Sequence, residues 1–261
     1  MAIRPGKWLE RKTRERAAQQ WTALAGGVET LPAARLRHLR EEARALRGSL
    51  DRFLIGADRR AARSRAALDA LHLPGGTDWR WRPGFMAGQV TPRGLAGPEA
   101  GDRLGEGAAV WHDCPERALI LEQLANGGAT DLSPFGMRLE VFGFAGSFLS
   151  LSIDLPESAL QGLTRSHVLR LETGIIAERA LEVYARLNIG HGPNTDQATL
   201  QLRRFEPGHY SRQVTEFDLA YTPMNEKRLE KIWLDLIFEA PRMNAVEIRE
   251  LFFSRHLRAQ F

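Results

Sequence analysis

From about residue 109 onward the apolar positions of the chain recur every second residue. RLEVFGF, SFLSLSIDLP, HVLRLETGII, ALEVYARLNI, TLQLRRF, VTEFDLAY, IWLDLIFE and VEIRELFF all alternate in this way, most of them separated by clusters of Gly, Pro, Asn or Asp. Period two sends successive side chains to opposite faces of an extended strand. Many short alternating runs, with turn residues rather than long helical stretches between them, predict a mainly β fold over 109–261, an antiparallel β-sandwich of jelly-roll type. The stretch NEKRLEKIW reads as a short helical turn ahead of its strand.

Residues 1–73 follow a different period. Leu36, Leu39, Ala43, Leu46, Leu50 and Phe53 are spaced 3, 4, 3, 4 and 3 apart, which places them in one seam along a helix. Thr30 is positioned to cap that helix and Pro32 to occupy its first turn. A preceding helix bearing Trp8, Ala17, Trp21 and Leu24, and a following one from about Ala57 to Leu71, are the nearest partners for the seam. An N-terminal helical hairpin or three-helix extension is therefore expected, with oligomerisation through these helices as a further use of the seam. Between the two regions, residues 74–108 are rich in Gly and Pro and read as a linker or irregular segment. Its DWRWRPG places Trp79 and Trp81 on one face of an extended piece, to be laid against the domain surface.

Charge divides along the same line. The net charge is +4, yet residues 1–73 carry 16 basic and 8 acidic side chains, a balance of +8 against −4 for the rest. Arg37, Arg40, Arg44 and Arg47 run beside the apolar seam. They form either a solvated flank paired with Glu41 or Glu42, or a face for an anionic membrane surface or a protein partner. No aromatic residues are interleaved with the stripe, which disfavours nucleic acid. A single cysteine, Cys114, excludes an internal disulfide and any multi-cysteine metal site, and no apolar run reaches signal-peptide or membrane-span length. The expectation is a cytoplasmic protein that does not span the membrane.

Alternation also assigns chemistry to faces. With Leu181, Val183, Ala185, Leu187 and Ile189 turned inward, Tyr184, Arg186 and Asn188 turn outward, and the same logic turns out Asp218, Trp233, Asp235 and Arg249. If these strands share a sheet, its outer face offers an aromatic platform beside planar hydrogen-bonding groups. That combination suits a sugar ring, which has a C–H face to stack and hydroxyls to satisfy, and it also describes an ordinary polar sheet face. The loop NIGHGPNTD adds His191 and Asn194 as candidate ligand contacts, although its glycines, proline and Asx residues suffice for a turn. WHDC, residues 111–114, sets His112 beside Cys114, but a lone cysteine is more often a small packing group than a nucleophile. No spacing of His or carboxylates indicates a metal site, and the sequence has no phosphate-cradling glycine loop and no G-x-S-x-G elbow. Asp235 and Glu239, four apart on one strand face at roughly 13 Å, lie beyond the usual separation of paired catalytic carboxylates. No cofactor and no catalytic residue are assigned.

Taken together, GTDWRWRPG, HDC, GSFLSLSIDLP, ARLNIGHGPNT, EFDLAYTPMNEKR, WLDLIFEAPRMNAVEIREL and FSRHLRA resemble an uncharacterised family of alphaproteobacterial proteins over about residues 76–261. That resemblance carries no activity or site residue. The closing WLDLIFEAPRMNAVEIREL is also similar to the last strands of jelly-roll carbohydrate-binding modules, an analogy of fold. The sequence thus points to a non-catalytic binding or adaptor protein, with carbohydrate or glycoconjugate recognition through the sandwich. The alternative is a protein-protein or anionic-surface interaction protein acting through its Arg-rich helices.

Overall fold

The computed structural model describes residues 5–65, 72–127 and 131–258. The chain divides into two compact units, Met1–Ile55 and Gly56–Phe261.

In the first, α1 (Pro5–Gly26) leads through a short turn, with one 3-10 segment at Val28–Thr30, into α2 (Ala33–Arg65), whose residues from Gly56 onward are counted with the second unit. Thr30 does not cap α2: its hydroxyl donates to Gly27 O at 2.9 Å, and Pro32 O accepts the first helical bond, from Leu36 N–H at 2.9 Å. The helix expected from Ala57 is instead a continuation of α2 as far as Arg65, and the rest of that expectation lies outside the described residues. Trp21, Leu24, Leu31 and Leu39 are half-buried around the turn. Farther along α2 the seam emerges into solvent, with Leu50 52% and Phe53 71% exposed.

The second unit is the sandwich. Its strands are β1 (Thr77–Trp81), β2 (Gly94–Ala96), β3 (Arg103–Leu104), β4 (Ala108–His112), β5 (Leu119–Ala125), β6 (Phe135–Val141), β7 (Leu149–Asp154), β8 (His167–Ala177), β9 (Glu182–His191), β10 (Asn194–Gln201), β11 (Ser211–Asp218), β12 (Leu229–Glu239) and β13 (Asn244–Leu257), with the one-turn helix α3 (Gly84–Ala87) after β1. One sheet runs β11-β8-β13-β6-β5-β2, with β1 also pairing β13; the other runs β10-β9-β12-β7-β4-β3. Each pairing is antiparallel. The core lies between the sheets and is filled by their inward alternate positions, among them Leu171, Ile175, Leu187, Leu234, Leu236, Ile248 and Phe253. NEKRLEKIW is a turn followed directly by β12, with no helix.

The Gly/Pro-rich stretch 74–108 is part of this unit rather than a linker. β1, α3, β2 and β3 come from it, and Trp81 meets Phe253 with ring centroids 5.9 Å apart while Trp79 Nε1 donates to Ser158 Oγ at 3.2 Å. Arg255, buried in β13, fastens β1 in place: Nε and Nη2 donate to the two carboxylate oxygens of Asp78, each at 2.9 Å, and Nη1 donates to Ala159 O and Gln161 O. Thr77, Trp79 and Trp81 suit a strand, and β13 supplies both the ladder and the ion pair that hold it.

Candidate functional site

The outer face of the six-stranded sheet is hollowed into a cleft of about 710 Å³. Register fixes what faces it. One row across the sheet reads Arg103, Ala109, Ser152, Asp235, Arg186 and Thr199; the next reads Trp111, Ser150, Ile237, Tyr184 and Gln201; a third reads Asp154, Trp233, Asn188 and Gln197. The small residues Ala109, Ser150 and Ser152 form a floor between taller side chains, so the face is concave.

Asp235 sits at the centre and is buried. Its Oδ2 accepts from Arg186 Nε at 3.2 Å, Arg186 Nη2 at 2.9 Å and Asn188 Nδ2 at 2.9 Å. The amide orientation this network imposes leaves Asn188 Oδ1 buried without a hydrogen-bond partner. Toward β3, Arg103 pairs with the other lining carboxylate, Asp154. Toward the β9–β10 hairpin, Lys231 Nζ stands 4.4 Å from the centroid of the Trp233 ring. Its stem crosses Gly190, its partner in register, where a Cβ would come within 2.9 Å of Lys231 Cγ. Glycine at 190 is what lets the lysine lie down across the strand.

The open aromatic surface is at the opposite end. Trp111 is 45% and Phe148 46% exposed, and both line the cleft. Trp111 rests on Gly101, where a Cβ would stand 3.4 Å from its ring. Phe148 follows Ser147, which is held by Asp113. Asp113 Oδ1 accepts the N–H groups of Ser147 at 2.7 Å and Phe148 at 3.1 Å. The Ser147 hydroxyl and these N–H groups hold the Asp113 carboxyl below the ordinary range.

WHDC is thereby explained without nucleophilic chemistry. Trp111 faces the cleft and Asp113 anchors the Phe148 loop. His112 is turned into the interior, where its Nδ1 accepts from Cys114 N–H at 3.1 Å and its Nε2 donates to Pro98 O at 3.0 Å. Cys114 is a buried core residue whose thiol lies 3.7 Å from Glu116 Oε2.

Of the residues singled out from sequence, the structure brings Arg186, Asn188, Trp233 and Asp235 together in the cleft, with Tyr184 beside it on the same face. Trp233 is half-buried with Lys231 over its ring, and so differs from the open platform expected. Arg249 is a correction: β13 belongs to the other sheet, and Arg249 Nε donates to Glu247 there at 3.2 Å. His191 is on the odd, inward set of β9 and its Nε2 lies 2.9 Å from Asp196 Oδ2; Asn194 opens β10 at the tip of the hairpin. Between them Gly192-Pro193 is a two-residue connection with φ of +58° at Gly192, as a II′ turn has at its first central position. Trp111, Phe148, Lys231, Gln197, Arg103 and Asp154 are lining residues that the sequence reading did not select.

On α2, Arg37, Arg40, Arg44 and Arg47 are exposed. Arg47 Nε lies 3.8 Å from Asp51, and among the described residues no carboxylate pairs with Arg37, Arg40 or Arg44, so the expected pairing with Glu41 or Glu42 does not form. Among the described residues no group of three metal-ligating side chains converges, and no helix is long and apolar enough to cross a membrane.

The model of a family of unknown function, DUF6478, matches residues 1–261. No curated protein matches the chain. Among solved structures, it is similar to a family 11 carbohydrate-binding module from Clostridium thermocellum in complex with a β-1,3-1,4-mixed-linked tetrasaccharide, at 11% identity over 56% of this chain and 88% of that one, with a TM-score of 0.38. It is likewise similar to the CBM22-1 xylan-binding domain of Paenibacillus barcinonensis Xyn10C, at 10% identity over 64% and 94%, TM-score 0.38. A third likeness is to the enzymatically active domain of tailspike protein 4 of bacteriophage CBA120, at 6% identity over 59% and 20%, TM-score 0.43. These are likenesses of fold.

Proposed function

The chain belongs to the DUF6478 family, and we propose that it is a non-catalytic carbohydrate-binding protein whose ligand lies in the cleft of the six-stranded sheet. The observation that carries this reading is the pairing, in one concave face, of two exposed rings with a fixed polar network. Trp111 and Phe148 offer surfaces for sugar C–H faces, and Arg186, Asn188, Gln197 and Ser152 offer planar or hydroxyl groups for sugar hydroxyls. The two carboxylates of the cleft, Asp154 and Asp235, each accept from an arginine and act as struts. That arrangement orients donors rather than shuttling protons. A glycan-array screen of the whole chain, followed by tryptophan-fluorescence titration of each hit, tests the reading. A saturable hit weakened by Trp111→Ala and Arg186→Ala supports it, and a clean negative from folded protein removes it.

A second reading rests on α2. Its seam residues Leu46, Leu50 and Phe53 are exposed, and the stripe Arg37, Arg40, Arg44 and Arg47 runs beside them. A helix with apolar and cationic faces both open to water suits an anionic membrane surface. The two readings concern different units and are compatible with each other.

A further inference from the structure

The cleft is lined by three cations, Arg103, Arg186 and Lys231, and two carboxylates, Asp154 and Asp235. Four of these five charges are used internally. Arg103 pairs with Asp154, and Arg186 pairs with Asp235 at 2.9 Å. Lys231 is left over: its ammonium caps the Trp233 ring, and among the described residues no carboxylate lies within ion-pair distance of it. An indole face compensates an ammonium only partly, and the group remains exposed and able to take an anion.

Next to it, Asn188 stands beside Trp233 in register and presents a buried Oδ1 that lacks a donor. An acceptor left unsatisfied in this way favours a ligand that brings a hydroxyl hydrogen. The end of the cleft near the β9–β10 hairpin therefore asks for two things close together, a negative group for Lys231 and a hydroxyl for Asn188. Arg228, exposed where the hairpin meets the turn before β12, adds positive potential at the same end; its carbonyl accepts from Gly192 N–H at 3.2 Å.

Building on the carbohydrate reading above, we infer that the cleft selects an acidic glycan, with Lys231 receiving a uronate carboxylate or a sulfate ester and Trp111 and Phe148 stacking residues farther along the chain. The positive group is placed at one end and the rings at the other, so the ligand is an oligosaccharide rather than a single sugar.

The test titrates the whole chain with three probes: a galacturonate hexamer, its carboxyl-reduced counterpart and a sulfated galactan hexamer, each at 25 mM and 500 mM NaCl. The expected result is a preference of about tenfold or more for an acidic probe over the neutral one at low salt, shrinking at high salt as screening sets in. The ratio should fall to about one in Lys231→Met and survive in Lys231→Arg, with thermal unfolding confirming that both variants are folded. The relative affinity of the uronate and sulfate probes identifies the negative group. Equal affinity for acidic and neutral probes overturns the inference and leaves the carbohydrate reading standing. An acidic preference undiminished in Lys231→Met overturns the role of Lys231. Absence of saturable binding by all three probes, together with a negative glycan array, withdraws the carbohydrate reading itself.

Discussion

Ser147 gives Asp113 two hydrogen bonds, one from its backbone N–H at 2.7 Å and one from its hydroxyl at 2.5 Å. The carboxylate belongs to the segment following β4 and the serine to the loop before β7, so the contact fixes the approach of Phe148 to the cleft. Gly146 permits the close approach, since a Cβ there would collide with Asp113 Oδ1. Asp113→Ala is expected to weaken ligand binding about threefold to tenfold without touching the ligand, the cost of ordering a loosened loop on binding. Titration of the array hit against both proteins checks this, with thermal unfolding as the control for a folded cleft.

The exposed rings should matter more than the covered one. Trp111→Ala and Phe148→Ala each remove stacking area and are expected to reduce affinity by about 1 kcal/mol or more, roughly fivefold or greater. Trp233→Ala acts mainly through release of Lys231 and should change salt dependence more than affinity at high salt. Calorimetric titration at two ionic strengths separates the two effects.

Asp235→Ala should destabilise the sandwich. It strips Arg186 and Asn188 of their shared acceptor, and breaking a buried pair from one side typically costs about 3–5 kcal/mol. Arg186 is about one-third exposed and can turn to water, so about 2 kcal/mol is expected here, read from urea midpoints. Asp235→Asn keeps an acceptor and should lose less.

Two carboxyl groups give opposite pH dependence. Burial alone would raise Asp78, but the hydrogen bonds and charge of Arg255, with His167 nearby, outweigh it and hold the group below the ordinary range. Its contribution to stability is present above the unfolded value and lost as pH falls through about 4 and below. Burial pushes Glu250 up, despite Arg82 and the N–H groups of Ser133 and Leu132. A raised carboxyl contributes stability below its unfolded value, and that contribution is lost as pH rises above about 4 through the folded value. Urea midpoints between about pH 3 and 7 should therefore show a shallower acid limb in Asp78→Asn and a shallower fall toward neutrality in Glu250→Gln.

If α2 meets an anionic surface, sedimentation with phosphatidylserine-containing vesicles should be lost on raising the salt and in Arg40→Glu/Arg44→Glu. Binding indifferent to both removes that role. The same substitutions should leave glycan affinity unchanged.

The sandwich and half of its cleft were legible because period two is a local signal. It turned Arg186, Asn188, Trp233 and Asp235 to one side, and the pairings Asp235–Arg186 and Trp233–Asn188 then brought them together. Period two assigns a face but not a sheet, which is why Arg249 was grouped with residues from the opposite side of the molecule. Trp111 lies in AAVWH, a strand whose small residues leave little alternation to detect, and Phe148 owes its place to an acceptor 35 residues earlier in the chain. The segment 74–108 misled for a related reason: Gly and Pro forecast poor local preference, while β1 is held by a buried arginine 177 residues away. On α2 the 3-4 spacing was correct for a helix, but spacing says nothing about whether a partner covers the seam.

A single hydrogen atom in place of a methyl group at position 190 keeps an ammonium parked on an indole. In Gly190→Ala the lysine stem would have to lift from the strand, uncovering the Trp233 ring and moving its charge outward. If the cleft takes an acidic glycan, that end would then trade charge recognition for a third stacking surface, and the preference would be tunable at a residue that itself offers no functional group.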